Sequence, residues 1–258
     1  MRYNTRYRST SFFSGYFPNG VKWLLISNTG IFLLTFLLAR DEMFVGGIFS
    51  WLALSPYHVI HDFRIWQLGT YLFLHGGIWH LLVNMFTLWM FGVTIERDWG
   101  TQRFLKYYFI CGVGAGLCDV VVNALLGRWG TSTIGASGAI YGLLLAFGVM
   151  YPNSTVLFSF LFPIKAKYFV MIYGAIELLS AMNVNSGVSN VAHLGGMAFG
   201  FAYLKMRFPT LDLDAIRGWH RTWKMQRAKK KFQVYMRKHG SDRDTWVNWI
   251  QPAQRGGR

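Results

Sequence analysis

An all-α membrane protein, built as a bundle of six transmembrane helices, is the fold class this sequence predicts. Three observations carry that expectation. Of 258 residues, 53% are hydrophobic and 18% aromatic while only 14% are charged, well under the roughly 25% charged residues of an ordinary water-soluble domain. Apolar stretches of spanning length recur near 23–39, 78–95, 104–126, 137–151, 167–182 and 189–206. The basic residues are also sorted: 23 of the 26 Lys and Arg fall in segments 1–22, 96–106, 152–167 and 205–258, and three in 40–77, 123–136 and 183–190. Such asymmetry puts both termini in the cytoplasm and requires an even number of spans. The formal charge of +15 is therefore a topology signal, and no nucleic-acid partner is expected.

Residues 1–22 form the expected cytoplasmic N-terminal segment. Its opening, "MRYNTRYRSTSFF", is rich in Arg and Ser and free of acids, like an organelle transit peptide but short. It lacks the layout of a cleavable signal peptide, so the first span is expected to stay, in a bacterial plasma membrane. Between spans one and two, residues 42–66 are apolar but broken by Gly46, Gly47, Ser55 and Pro56. They are expected to form a hairpin-like insert lying partly in the outer leaflet, with His58 and His61 as interfacial residues. Cys111 and Cys118 are seven positions apart on one span, about 10 Å along a helix. They are read as packing residues that cannot bond each other. The six spans make a domain over 23–206, followed by a basic tail over 207–258. After Leu204 the tail has 14 basic residues against four acids. It reads as a basic helix lying on anionic cytoplasmic lipid, with a docking arm for a partner as the alternative.

Depth assignments bring chemistry-bearing residues into one layer. With the N-terminus inside, spans two, four and six begin at the outer face, which places His80 and Asn84, Ser137, and His193 at similar depth. Polar groups inside a membrane are costly and point to function. Span four runs only 15 residues from Ser137 before "PN" stops it, about 22 Å against a hydrocarbon layer about 30 Å thick. Ser137 is thus expected below the outer surface, at the base of a water-filled cavity under the irregular stretch "LLGRWGTSTIGA". Gly138, Gly142 and Ala146 recur every four residues on span four, as do Ala192, Gly196 and Gly200 on span six. Stripes of small residues allow close helix approach. If these two face each other, Ser137 and His193 come within hydrogen-bond reach, as an activated nucleophile and its general base require. Tyr141, one turn below Ser137, is placed to pack on the imidazole. Neither Asp119, within span three, nor Glu177, in the middle of span five, is expected beside His193. A dyad follows, with Asn190 as a further orienting group. Oxyanion donors are sought in His80, Asn84 and the Ser137 amide, and His75 braces the preceding loop.

Three segments then resemble the signature motifs of the rhomboid intramembrane serine proteases: "HGGIWHLLVN" (His75, His80, Asn84), "GASGAIYG" (Gly135, Ser137, Gly138, Tyr141) and "AHLGGMAFG" (Ala192, His193, Gly196, Gly200). "FGVTIERDWG", with Glu96 and Arg97, resembles the family's inner-end motif. The resemblance runs from about Trp66 to Phe208. It implies the six-helix rhomboid core, with Ser137 as nucleophile, His193 as base and an oxyanion hole of His80, Asn84 and the Ser137 amide. The implied substrates are single-span membrane proteins, cut in or near the transmembrane segment without metal or cofactor. One departure is Gln67, where some members carry Arg after Trp66; it bears on how the first external loop is anchored. Glu177 is left with two readings, a protonated carboxyl bonded to another span or a part of the mobile fifth helix that the resemblance implicates in substrate access. The alternative function is a non-catalytic membrane protein that binds haem, a metal or transmembrane clients, with His75, His80 and His193 as the ligand candidates.

Overall fold

The computed structural model describes residues 17–38, 42–158, 162–181 and 190–207. The N-terminal opening, the loop before span six and the basic tail lie outside them. The chain divides into two compact units, Met1–Met206 and Arg207–Arg258, and the first holds the described elements.

Helix α1 spans Asn19–Leu37, α2 Glu42–Leu52, α3 Pro56–Ile60 and α4 Gln67–Thr70, the last continuing into a 3-10 turn over Tyr71–Phe73. Helix α5 spans Ile78–Trp99, α6 Thr101–Leu125, α7 Ser137–Met150, α8 Ala166–Ala181 and α9 Asn190–Arg207. Among the described residues α1, α5 and α6 are long and apolar enough to cross a membrane, and α7 is a shorter apolar helix. One feature departs from an all-α fold. Strands β1 (Thr155–Phe158) and β2 (Phe162–Lys165) pair antiparallel, with Thr155 opposite Lys165. This hairpin uses the apolar connection between α7 and α8, and its base is closed by Ala166 N–H donating to Ser154 O at 2.8 Å.

Helices α6 and α7 form the interior. Eight of the fourteen α7 residues are buried, among them Gly138, Ala139, Gly142, Leu143 and Ala146. Their small size is what lets neighbours close in. A Cβ at Gly142 would meet Cys111 Sγ of α6 at 2.4 Å, and one at Gly200 of α9 would meet Tyr107 Oη of α6 at 2.5 Å. Both cysteines are free. The outer elements present hydrocarbon instead: Trp23, Leu34, Phe36 and Leu37 on α1, and Met171, Leu178 and Leu179 on α8, are exposed. A water-soluble surface does not carry so much contiguous apolar area.

Polar side chains are spent at helix ends. The buried Glu96 carboxylate accepts from Gly20 N–H and Val21 N–H, both at 2.7 Å, and from Thr101 Oγ1 at 2.5 Å. It thus satisfies free donors of the α1 N-terminus, where negative charge is favoured, and ties α1 to the α5–α6 junction. That junction is a single residue, Gly100, whose φ of +78° is open to glycine and strained for L side chains. The insert between α1 and α5 folds as helices α2 and α3. Gln67, fully buried, anchors it: Nε2 donates to Ser50 O at 3.1 Å and Trp51 O at 3.3 Å, while Oε1 accepts from Ser55 N–H at 3.2 Å. An arginine is therefore not needed at that position. Of the two histidines nearby, His58 pairs with Asp62 and His61 packs against Trp129.

Candidate active site

The stretch between α6 and α7 carries irregular backbone, and its polar groups are met by protein. Leu54 and Thr133 exchange backbone hydrogen bonds of 3.0 and 2.9 Å, and Gly135 N–H donates to Tyr71 O at 2.9 Å. Thr133 Oγ1 donates to Asp119 Oδ2 at 2.9 Å. Asp119 therefore serves this loop and stands away from His193. Gly135 has φ of +116°, and a Cβ there would sit 2.7 Å from His80 Nε2. Conformation and space both require glycine at this point. Two residues later the chain enters α7 with Ser137 as its first residue, so the serine stands where a helix leaves its backbone N–H groups unpaired.

Helix α9 brings the imidazole. His193 is its fourth residue, and His193 Nε2 lies 2.7 Å from Ser137 Oγ. The closeness rests on Gly196: a Cβ there would lie 1.9 Å from Gly138 O, so these two helices touch backbone to backbone. Farther down the two stripes still face each other, with a Cβ at Gly142 3.2 Å from Gly196 O, and both also pack on α6, through Gly142 against Cys111 and Gly200 against Tyr107. Tyr141 stacks on the His193 ring at 4.2 Å between centroids with an interplanar angle of 11°.

Glu177 overturns the expectation that no carboxylate stands beside His193. Its Oε2 lies 3.0 Å from His193 Nδ1, within ion-pair distance though neither atom makes a hydrogen bond, with both side chains 9% exposed, and its Oε1 accepts a hydrogen bond from the Tyr141 hydroxyl. Depth explains the correction. Helices α7 and α8 leave the same hairpin, where Lys167 N–H donates to Pro152 O and Ala166 N–H to Ser154 O, so heights along both are measured from one level. Ser137 is thirteen residues above Met150, about 20 Å, and Glu177 eleven above Ala166, about 16 Å. The shortness of α7 brings Ser137 level with the middle of α8. That signal was present in the sequence.

The remaining residues border the same space. A cavity of about 950 Å³ is lined by His80, Asn84, Thr133, Ser137, Tyr141 and His193. Asn84 is buried, and its Nδ2 donates to His80 O at 2.9 Å, leaving the second amide hydrogen for other use. His75, in the connection before α5, is buried with its ring 5.0 Å from that of His80. Burial, and secondarily His80, push its pKa down to about 4, so it stays neutral near pH 7. Asn190 is buried as the first residue of α9, three before His193.

Apolar helices lining a cavity, with a serine and a histidine in contact at its edge, define the class: an integral membrane protein with a polar pair at its centre. Residues 62–210 match the Rhomboid domain, more than half of the chain, and the chain belongs to the rhomboid family, which includes intramembrane serine proteases. It is 35% identical over 150 residues to RHOMBOID-like protein 1 of Arabidopsis thaliana, covering 58% of this chain and 36% of that one. It is 32% identical over 213 residues to Rhomboid-like protein 11, chloroplastic, of the same plant, covering 76% and 69%. Rhomboid-like protease 5 of Toxoplasma gondii is 35% identical over 143 residues, covering 52% of this chain and 16% of that one. The chain spans 32–54% of the length of several of its plant relatives. These relatives are plant and apicomplexan proteins and lend no support to a bacterial membrane.

Proposed function

We propose that this chain is a serine endopeptidase that cleaves single-span membrane proteins in or near their transmembrane segment. The observation that carries this reading is the 2.7 Å contact between Ser137 Oγ and His193 Nε2 at the edge of a cavity inside an apolar helical bundle. Ser137 Oγ attacks the scissile carbonyl carbon while its proton passes to His193 Nε2. The carbonyl oxygen takes negative charge and is held by the Ser137 amide, His80 and Asn84. Collapse breaks the C–N bond, and the imidazolium returns its proton to the leaving amine. Water then attacks the acyl-enzyme with His193 again as base, releasing the carboxylate product and free Ser137. The supporting geometry is the flat stack of Tyr141 on the imidazole, and Gly135, whose lack of a side chain leaves His80 and Asn84 close to the start of α7.

The same reading takes α1, α5, α6, α7, α8 and α9 as six membrane crossings, with the insert α2–α3 partly in the outer leaflet and both termini on the cytoplasmic side. Residues 207–258 are the basic cytoplasmic tail. Ser137→Ala and His193→Ala should each abolish cleavage of a reporter transmembrane substrate in reconstituted vesicles, with unfolding midpoints unchanged. A fluorophosphonate should label Ser137 in the native chain and fail to label the His193→Ala variant. Cleavage at native rates by either variant refutes the mechanism.

A further inference from the structure

A buried carboxylate in an apolar helix is costly unless donors reach it, and Glu177 is the one acidic residue of α8. Its two oxygens divide between two partners of the same small network. Oε1 accepts from Tyr141 Oη, and Oε2 stands 3.0 Å from His193 Nδ1. Tyr141 in turn stacks flat on the imidazole, and the opposite ring nitrogen of that imidazole meets Ser137 Oγ. Three helices, α7, α8 and α9, thus contribute to one closed arrangement around His193.

The arrangement answers a chemical need. A neutral imidazole has two tautomers, and only the one with hydrogen on Nδ1 leaves Nε2 free to accept the serine proton. A carboxylate is an acceptor only, so its approach to Nδ1 selects that tautomer, and its charge favours the imidazolium formed when Ser137 attacks. Tyr141 covers one face of the ring, and Glu177 faces its Nδ1 edge at 3.0 Å. We propose that Glu177 is a positioning residue that completes a Ser137–His193–Glu177 relay, held in place by the Tyr141 hydroxyl. This rests on the protease reading given above.

The test uses the full chain in lipid vesicles, with kcat and KM for a reporter substrate, the rate of fluorophosphonate labelling and the unfolding midpoint all measured. Glu177→Gln keeps an acceptor at the same place without the charge and should lower kcat roughly tenfold. Glu177→Leu removes both acceptor and charge and should lower it on the order of a hundredfold. KM should stay unchanged, and labelling of Ser137 should slow in parallel with kcat. Tyr141→Phe combined with Glu177→Gln should cost less than the product of the two separate losses, because both act through one network. A purely structural role predicts equal losses for both Glu177 variants, tracking the fraction of folded protein, and that result overturns the proposal. So does a native kcat in Glu177→Leu when Ser137→Ala and His193→Ala are inactive. Activity in those last two variants would instead bring down the protease reading itself.

Discussion

At the scale of single residues, the approach of Ser137 to His193 is set by missing side chains more than by attractive contacts. A Cβ at Gly196 would lie 1.9 Å from Gly138 O, a separation no rotamer change relieves because both partners are backbone. Gly196→Ala must push α9 away from α7, and overpacking of this kind costs about 1–3 kcal/mol. The expected outcome is a lower unfolding midpoint together with loss of cleavage and of fluorophosphonate labelling, since the serine and imidazole part as the helices do. A variant that labels at the native rate would show that the two helices have slack. The pairing of these residues was legible in the sequence because each flanks the first member of a stripe of small residues. The place of Glu177 is harder to read, because the middle of a span looks remote from a pair near the start of its neighbours. On a bundle whose fourth span is short, the middle of a neighbouring helix is the level of the Ser137–His193 pair.

At the scale of elements, the chain uses polar side chains to fasten pieces that have little else to hold them in lipid, where apolar packing between helices gains nothing from excluding water. Glu96 fastens α1, and Gln67 fastens the insert that contains α2 and α3. Glu96 sits sixteen residues along α5 from His80, about 24 Å away, so its contribution is separable from chemistry. Glu96→Gln removes the charge facing two backbone donors of α1, and hydrogen bonds to charged groups contribute about 1.5–3 kcal/mol. The variant should unfold at lower temperature yet cleave with native kcat at temperatures where it is folded; a changed kcat would mean that α1 docking reaches the site. Apolar length and the Gly, Pro and Asn breaks marked the helices in the sequence. The β1–β2 hairpin escaped because "TVLFSFLFPIK" is a near-continuous apolar run without the period-2 alternation that marks a half-buried strand. The anchoring role of Gln67 depends on carbonyls of Ser50 and Trp51, sixteen and more residues away, which no local pattern announces.

At the scale of the whole molecule, the proposed hydrolysis requires water to reach the Ser137–His193 pair among apolar helices. Helix α7 has 14 residues, about 21 Å, and a bilayer core is about 30 Å thick. If its inner end is level with one interface, Ser137 lies several ångströms below the other. The backbone from 126 to 136 that covers the difference is not helical, and such backbone is tolerated at membrane depth only within protein or beside a wet cavity. Here it is held by hydrogen bonds to Leu54, Tyr71 and Asp119, and it borders a cavity that takes in Ser132, Thr133 and Ser137. Topology and access therefore make one joint prediction. In a chain with Cys111 and Cys118 replaced by alanine, Ser137→Cys should react with a membrane-impermeant maleimide added to sealed vesicles on the face opposite the termini. Tags at either terminus should be reached only from the other face. Reaction of the position 137 thiol from the same side as the tags would invert the topology drawn from the 23 basic residues. Failure to react from either side, in a variant that a small permeant reagent does label, would mean that the cavity is closed to bulk water, and hydrolysis would then need the helices to part.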